Sequence, residues 1–129
     1  MRGPRSSPDR RALGAAAEDA AATFIESGGL RILLRNFRCR FGELDFVALE
    51  PPDLLIVGEV RLRSRADFGG AAASVDVHKQ RRLQLTTRFL FARRPTLSRL
   101  RVRFDVLEVR PSATASGFTV HWIRDAFRG

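Results

Sequence analysis

Residues 42–63, GELDFVALEPPDLLIVGEVRLR, decide the predicted fold. They form two predicted strands joined by a tight Pro-Pro-Asp turn, because apolar residues alternate through both halves. Four charged residues interrupt this pattern: Glu43, Asp45, Glu59 and Arg61. Strands this apolar are typical of a buried sheet, so charges within them need a structural or functional reason.

The register of this hairpin can be predicted from the position of its turn. An antiparallel hairpin centred on Pro52 opposes residues whose numbers sum to 104, so Asp45 lies opposite Glu59 and Glu43 lies opposite Arg61. Opposed residues share one face of a sheet, and all four polar side chains then converge at one end of that face. An odd-numbered register would separate Asp45 from Glu59. The remaining positions of both faces are apolar, which predicts a sheet covered on both faces, with the acids at its rim.

Composition restricts the classes of protein and of partner. A chain of 129 residues is typical of one domain with its own core. A net charge of +9 and a pI of about 11.6 favour a polyanionic partner, foremost nucleic acid. The alternative is that a GC-rich coding sequence has enriched arginine without a function. Abundant alanine and arginine, with Lys79 as the only lysine, are typical of such enrichment. A single cysteine and two histidines exclude an intrachain disulfide and a Cys/His zinc site.

The N-terminal part of the chain predicts a tail followed by a soluble domain. Residues 1–11 carry Pro, Ser and Arg without an apolar pattern, which predicts a disordered basic tail before one domain over residues 12–129. The alanine-rich run that follows contains Glu18 and Asp19, so it is neither a signal sequence nor a membrane span. Together with the lone cysteine, this pattern predicts a cytoplasmic protein without membrane contact.

Helices and strands alternate along the rest of the chain, which predicts an α/β protein. Outside the central hairpin the predicted segments are a helix over 12–27 with Phe24 in its buried stripe, a strand over 30–37, a turn over 36–41, a glycine-rich loop over 64–73, a helix from the N-cap Asp76 to about Ala92, strands over 100–109 and 118–123, and a helical turn over 125–127.

Of three charged residues outside the hairpin, Glu18 and Lys79 are each open to two interpretations. Glu18 lies beside the apolar stripe of the first helix and could reach the sheet rim, or it is an exposed acid favoured near a helix N-terminus. Lys79 points from the start of the second helix towards the sheet. There it either completes a phosphate-binding corner or lies over apolar surface. For Asp105, within a strand, we expect a structural salt bridge to Arg101 or Arg103.

The hairpin acids have the parts of a phosphodiester-hydrolysing site. Two facing carboxylates repel each other unless a cation lies between them. Mg²⁺ prefers oxygen ligands and keeps several waters, so Asp45, Glu59 and a substrate phosphate suffice to bind it. A basic side chain such as Arg61 could then neutralise developing charge. A Glu-x-Arg pair is also common as a structural salt bridge, so this pattern alone is not specific.

The order of motifs along residues 13–127 resembles the YraN family, whose members are restriction-endonuclease-like and related to archaeal Holliday-junction resolvases. The pieces that carry the resemblance are Gly42-Glu43-Leu44-Asp45, Glu59-Val60-x-x-Arg63, Phe68-Gly69, Lys79 with Arg82-Leu83, Arg103-Phe104-Asp105-Val106 and Asp125-Ala126-Phe127.

The resemblance implies a mixed central sheet of about five strands, flanked by helices on both faces. It implies a nuclease-type site that binds Mg²⁺ or Mn²⁺ through Asp45 and Glu59, with Glu18 as a further ligand. Asp45, Glu59 and Arg61 would be its catalytic residues, while Lys79 and Arg63 would bind substrate. The implied partner is nucleic acid, DNA rather than RNA, and resolvase-like relatives imply a homodimer by analogy.

Three positions depart from the family pattern. Arg61 stands where the family has lysine, Gly58 replaces a bulky apolar residue, and Leu62 replaces threonine. Arginine cannot act as a general base, although it can bind phosphate. Two alternatives to a nuclease therefore stay open. One is a nucleic-acid-binding module that retains the fold without the chemistry, and the other is a small interaction domain whose basic charge has no ligand.

Overall fold

The computed structural model describes residues 10–63, 75–113 and 117–128. Along the chain they form α1 (Arg10–Ser27), β1 (Arg31–Cys39), β2 (Gly42–Glu50), β3 (Leu54–Leu62), α2 (Val77–Arg93), a 3₁₀ helix (Pro95–Arg99), β4 (Arg101–Pro111) and β5 (Phe118–Phe127). The loop predicted over 64–73 lies outside the described residues, as does the predicted tail apart from its last two residues, which begin α1.

The five strands form one mixed sheet in the order β1-β2-β3-β4-β5. Strands β3 and β4 are parallel, and the other three neighbouring pairs are antiparallel. A parallel pair requires a crossover connection, and α2 lies within that connection. The predicted α/β architecture is confirmed, and it is consistent with a restriction-endonuclease-like fold.

The predicted hairpin register is confirmed over the paired part of β2 and β3. Five pairs, from Glu50↔Leu54 to Phe46↔Gly58, have residue numbers that sum to 104. The turn between the strands is at residues 51–53 and contains a cis Pro51-Pro52 bond. Pairing ends at Gly58, one residue before the charged end of β3.

Each face of the sheet carries a buried apolar layer under one helix, as predicted. The layer on the α1 face comprises Ala17, Ala21, Ile25, Leu30, Phe46, Ala48, Ile56, Leu107 and Val109. The layer on the α2 face comprises Leu44, Val47, Leu55, Val57, Val75, Leu83, Leu90, Phe104 and Val106. Burial of these side chains is the main stabilising contribution to the fold.

Strand β2 changes face between its charged and apolar halves. Leu44 and Val47 both belong to the α2-face layer, although residues three apart on a regular strand face opposite sides. Asn36 of β1 lies opposite this point and has a left-handed backbone with φ 55°. The irregularity places Glu43 and Asp45 beside α1. The prediction that all four hairpin charges share one face is therefore wrong.

The ends of two strands and the exposure of one side chain also differ from the sequence-based predictions. Strand β1 continues to Cys39, because residues 36–39 keep pairing with β2 where a turn was expected. Strand β5 continues through Phe127 instead of forming a helical turn, since Asp125 adopts φ 56° and its amide donates to Asp105 Oδ1 at 2.9 Å. Phe24 is 40% exposed and contacts the edge of Trp122.

The predicted helix signals are confirmed where the structure describes them. Helix α1 ends at Gly28 and Gly29, and Gly29 has φ 95°, which glycine adopts without strain. The Asp76 side chain caps α2 by accepting a 2.8 Å hydrogen bond from the amide of Lys79. Neither helix is long and apolar enough to cross a membrane, within the residues that the structure describes.

Candidate metal and phosphate site

Three carboxylates from two elements converge at the rim of the sheet. Glu18 of α1 and Glu43 and Asp45 of β2 each offer an oxygen, and these oxygens lie within 4.8 Å of one another. Glu18 reaches the rim because it lies one residue beyond the buried Ala17, at the edge of the helix stripe that contacts the sheet. We call these three residues the acid cluster.

Two arginines and the side-chain amide of Asn36 lie around the acid cluster. Arg38 Nε lies 3.3 Å from Glu43 Oε1, and Arg35 pairs with Asp19 at 2.8 Å, beside Glu18. When its NH₂ group faces the acids, Asn36 donates to Glu18 Oε1 at 3.2 Å and to Glu43 Oε2 at 3.0 Å. The left-handed backbone of Asn36 therefore also places a polar side chain against the cluster.

Asp45 is the most perturbed acid of the cluster. Its Oδ2 accepts a 2.7 Å hydrogen bond from the amide of Val60, across the gap where β2 and β3 stop pairing. Burial, together with the charges of Glu59, Glu18 and Glu43, raises the pKa of Asp45 to about 7, against the partial opposition of that hydrogen bond. A carboxyl group held at such a pKa is characteristic of functional sites, although structural networks also produce it.

Burial and the charge of Glu43 also raise the pKa of Glu18, while Arg35 opposes the shift. Two of the three acids therefore bind their protons more strongly than in water. Their shared cause is incomplete solvation combined with mutual repulsion, which a bound cation would relieve.

Glu59 forms a second group on the α2 side of the sheet. Lys79 Nζ lies 3.2 Å from Glu59 Oε2, and Arg61 Nε lies 3.6 Å from the same oxygen. The Glu59 side chain is only 9% exposed, so its charge requires nearby cations. The sequence-based expectation that Lys79 points towards the sheet is confirmed. Glu59 nevertheless adjoins the acid cluster, because its charge contributes to the pKa of Asp45.

Arg63 follows β3 and is paired with an acid of the next strand. Its Nε lies 3.6 Å from Oε2 of the buried Glu108 in β4, and His121 Nδ1 of β5 lies 3.6 Å from Glu108 Oε1. Residues 61 and 108 are register partners, so this ion pair borders the group formed by Glu59, Arg61 and Lys79.

Asp105 has a structural role, as expected. It is 1% exposed and accepts two hydrogen bonds of 2.9 Å from Arg103, one of 2.8 Å from Trp122 Nε1 and one from the amide of Asp125. Both carboxylate oxygens are satisfied, and the network joins β4 to β5 away from the acid cluster.

Sequence reasoning grouped Glu43 with the other hairpin charges but did not assign it as a metal ligand, and it did not name Asn36 as a member of the site. The signal for Glu43 was present, since residues two apart on a strand share a face and Asp45 was already a candidate. Nothing in the sequence indicated Asn36, because its position depends on the left-handed backbone inside β1.

The donor set of the acid cluster fits a hard divalent cation. Carboxylate oxygens are ligands that Mg²⁺ and Mn²⁺ prefer. Ligands about 2.1 Å from a metal lie about 4.2 Å apart when they are opposite each other, close to the 4.8 Å limit in the cluster. Small side-chain adjustments would bring all three oxygens onto one ion.

The fold and site thus define an α/β protein with a five-stranded mixed sheet and an acid cluster at its rim. A sequence model described as "Uncharacterised protein family UPF0102" matches residues 17–109, and the chain belongs to this family, the YraN family. The resemblance inferred from the motifs is confirmed.

Relatives in several bacteria match nearly the full chain. A UPF0102 protein of Xanthomonas campestris pv. campestris is 47% identical over 119 residues, which are 92% of this chain and 93% of the relative. One from Pseudomonas putida is 40% identical over 124 residues, covering 96% and 98%. One from Cupriavidus taiwanensis is 42% identical over 121 residues, covering 93% and 86%.

Proposed function

We propose that this protein is a divalent-metal-dependent nuclease that hydrolyses phosphodiester bonds in DNA. The observation that carries the proposal is the position of the acid cluster beside a buried glutamate that contacts two cations. Glu18, Glu43 and Asp45 would bind the metal, and Glu59, Lys79 and Arg61 adjoin them. This chemistry needs at least carboxylates that bind a metal and positively charged side chains that bind a phosphate.

In this proposal Asp45 is the central metal ligand, with Glu18 and Glu43 completing the set. Mg²⁺ or Mn²⁺ at this position would polarise the phosphoryl oxygen and help to generate hydroxide. Glu59 is either a further ligand or the group that orients Lys79, and its charge at Asp45 is compatible with both roles.

Lys79 and Arg61 have the position to bind the scissile phosphate. Both contact Glu59 in the absence of substrate, and an arriving phosphate would compete for them. Arg61 supplies charge but no proton transfer, because its guanidinium stays protonated. Lys79 would supply the ammonium group that the family resemblance led us to expect at position 61. Arg63 is held against Glu108 and would contact the substrate further from the reacting phosphate.

A binding module without catalytic activity is the second candidate. Arg61 favours it, because the usual lysine is missing from β3. The contact between Lys79 and Glu59 argues against a module without catalytic activity, because Lys79 of α2 provides an ammonium group at the site. A cytoplasmic location and the homodimer implied by resolvase-like relatives remain predictions, and light scattering of the purified protein tests the second.

A cleavage assay separates the two candidates. Purified protein is incubated with Mg²⁺ or Mn²⁺ and single-stranded, duplex or four-way-junction DNA, beside Asp45→Asn, Glu59→Ala and the surface control Asp53→Asn. We expect metal-dependent cleavage that EDTA abolishes and that Asp45→Asn and Glu59→Ala lower by about 100-fold or more, the scale of losing a principal catalytic interaction.

The control Asp53→Asn should cleave as the wild type does, because Asp53 pairs with Arg101 at the opposite end of the hairpin. Salt-sensitive binding without cleavage by the wild type would support the binding module instead. Cleavage that survives in Asp45→Asn would assign the activity to a contaminant or to another site.

A further inference from the structure

Helix α2 has an unusual charge distribution. Its sequence, VHKQRRLQLTTRFLFAR, contains one lysine, four arginines and one histidine but no acidic residue. Lys79, Arg81 and Arg82 lie in its N-terminal half, where the helix dipole disfavours positive charge. Lys79 and Arg82 are also three residues apart, a spacing at which like charges repel. A helix shaped by stability alone would instead have acids in its first turn, so this pattern indicates a function.

The arginines of α2 share its solvent face. At 100° per residue, Arg81, Arg82, Arg88 and Arg93 fall within about 140° of the helix surface, and all four are exposed. The buried residues Leu83, Thr86, Thr87 and Leu90 occupy the opposite side. Within the described part of the chain, Arg81, Arg82 and Arg88 form no ion pair.

The turn between β1 and β2 extends this face. A Cβ at Gly42 would lie 3.3 Å from Thr86 Oγ1 and 3.8 Å from Arg82 Cβ, so the turn packs directly on α2. Phe41 contacts Phe89 with ring centroids 6.3 Å apart. The guanidinium of Arg40 lies 4.9 Å from the Phe41 ring centroid. We define the basic track as Arg40, Arg81, Arg82, Arg88 and Arg93.

We infer that the basic track binds the phosphate backbone of nucleic acid independently of its sequence and leads it to the acid cluster. The inference rests on the proposed function for the identity of the partner. From Arg81 to Arg93 the helix rises about 18 Å, the length of about five nucleotides of one strand. Charge complementarity identifies the partner, since an exposed row of arginines on a helix that contains no acid attracts a regular polyanion.

The contacts favour binding of backbone over binding of bases. Guanidinium groups lie over the faces of Phe41 and Phe89, with Arg93 5.7 Å from the Phe89 ring centroid, so bases would have to displace them in order to stack. Arginines that do not read base edges position a strand without specifying its sequence.

The track also connects with the proposed reaction site. Lys79 lies in the first turn of the same helix and contacts Glu59, while Glu43 of the acid cluster directly follows Gly42 of the packed turn. The track and the acid cluster therefore adjoin at the rim of the sheet, where Gly42 packs on α2 and Glu43 follows it.

Fluorescence anisotropy in EDTA tests this inference without cleavage. Labelled single-stranded, duplex and four-way-junction DNA are titrated with wild-type protein, with the triple variant Arg81→Gln/Arg82→Gln/Arg88→Gln, and with the control Arg11→Gln/Arg124→Gln/Arg128→Gln. The control removes the same charge from exposed arginines on α1 and at the C-terminal end of the chain. Thermal melting confirms that both variants fold.

We expect the track variant to bind duplex about tenfold or more weakly at low salt. We expect the slope of log affinity against log salt to fall by about 2.7, because each phosphate contact contributes about 0.9. The control should stay within about twofold of the wild type. Any of three results would overturn the inference. These are equal losses of affinity in both variants, binding of the wild type to poly-glutamate as tightly as to DNA, and no binding of DNA by the wild type.

A cleavage assay with the same proteins and metal distinguishes this inference from the proposed function. If the wild type binds through the track but no protein cleaves, the track stands and the nuclease proposal fails.

Discussion

The ring of Phe46 lies over Gly58, in the space that a side chain at position 58 would occupy. The two residues are register partners on neighbouring strands, and Phe46 is 3% exposed. By the resemblance drawn from the motifs, Gly58 stands where a bulky apolar residue was expected. The Phe46 ring fills the resulting gap, so Gly58 is not by itself evidence against activity.

Gly58→Ala should therefore destabilise the protein by about 1–3 kcal/mol, because its new methyl group meets the Phe46 ring in a packed layer. Urea denaturation measures this change in the free energy of unfolding. The double variant Gly58→Ala/Phe46→Leu should be more stable, by about 1 kcal/mol or more, than the sum of the two single changes predicts. In the control Gly14→Ala the new Cβ would have no atom of the described residues within 4 Å, and in a helix this change should stabilise by up to about 1 kcal/mol. Additive effects at Phe46 and Gly58 would contradict the packing argument.

Lys79 should matter more to cleavage than Arg61. Lys79→Met removes the ammonium group that contacts Glu59 and should lower the cleavage rate by about 100-fold. Arg61→Lys restores the residue usual in the family and should not lower the rate. Single-turnover cleavage of one DNA substrate measures both variants, and circular dichroism verifies their folding. A large loss in Arg61→Lys together with an active Lys79→Met would reverse the two assignments.

Metal-free stability should depend on pH through Asp45. The pKa of this carboxyl is raised from 3.8 to about 7, so between these values the folded state binds more protons than the unfolded state. The free energy of unfolding therefore falls as pH rises from about 4 to 7. Asp45→Asn should remove this loss and be more stable than the wild type at pH 8 by up to roughly 4 kcal/mol, since each pKa unit corresponds to about 1.4 kcal/mol.

Urea denaturation in EDTA at pH 5 and pH 8 measures the difference. The control Asp53→Asn should not gain stability at pH 8, because its hydrogen bonds to Arg101 lower the pKa of Asp53. The same pH dependence in wild type and Asp45→Asn would show that Asp45 titrates normally.

The buried Asp105 network should contribute to stability and not to chemistry. Asp105→Ala leaves Arg103 and Trp122 without their carboxylate and should cost about 3–5 kcal/mol. Trp122 is the only tryptophan, so its fluorescence emission reports the change directly. Asp105→Asn keeps one side-chain oxygen as an acceptor, so this variant should lose less stability. A wild-type unfolding curve for Asp105→Ala would refute a structural role.

The fold was predictable from the sequence where local pattern determines structure. Alternating apolar residues and the Pro-Pro turn specify the hairpin and its register, and Asp76 specifies the start of α2. Asp105 was assigned to a salt bridge because an acid within a strand, two residues after Arg103, needs a partner.

The division of the acids between two faces was not predictable. It depends on the irregularity at Asn36, whose left-handed backbone is not marked by any glycine or proline. A regular strand would have grouped Asp45 with Glu59, whereas the structure groups it with Glu18 and Glu43. Pairing between β1 and β2 produces this shift, and the periodicity of a single strand carries no information about it.

Mn²⁺ binding followed by electron paramagnetic resonance at pH 8 tests the central claim most directly, because the signal of the free hydrated ion falls as Mn²⁺ binds. The account predicts one Mn²⁺ per chain, lost in Asp45→Asn, retained in Asp53→Asn, and weakened as pH falls through about 7, where Asp45 is protonated. Equal Mn²⁺ binding by wild type and Asp45→Asn, or no binding by the wild type, would contradict it.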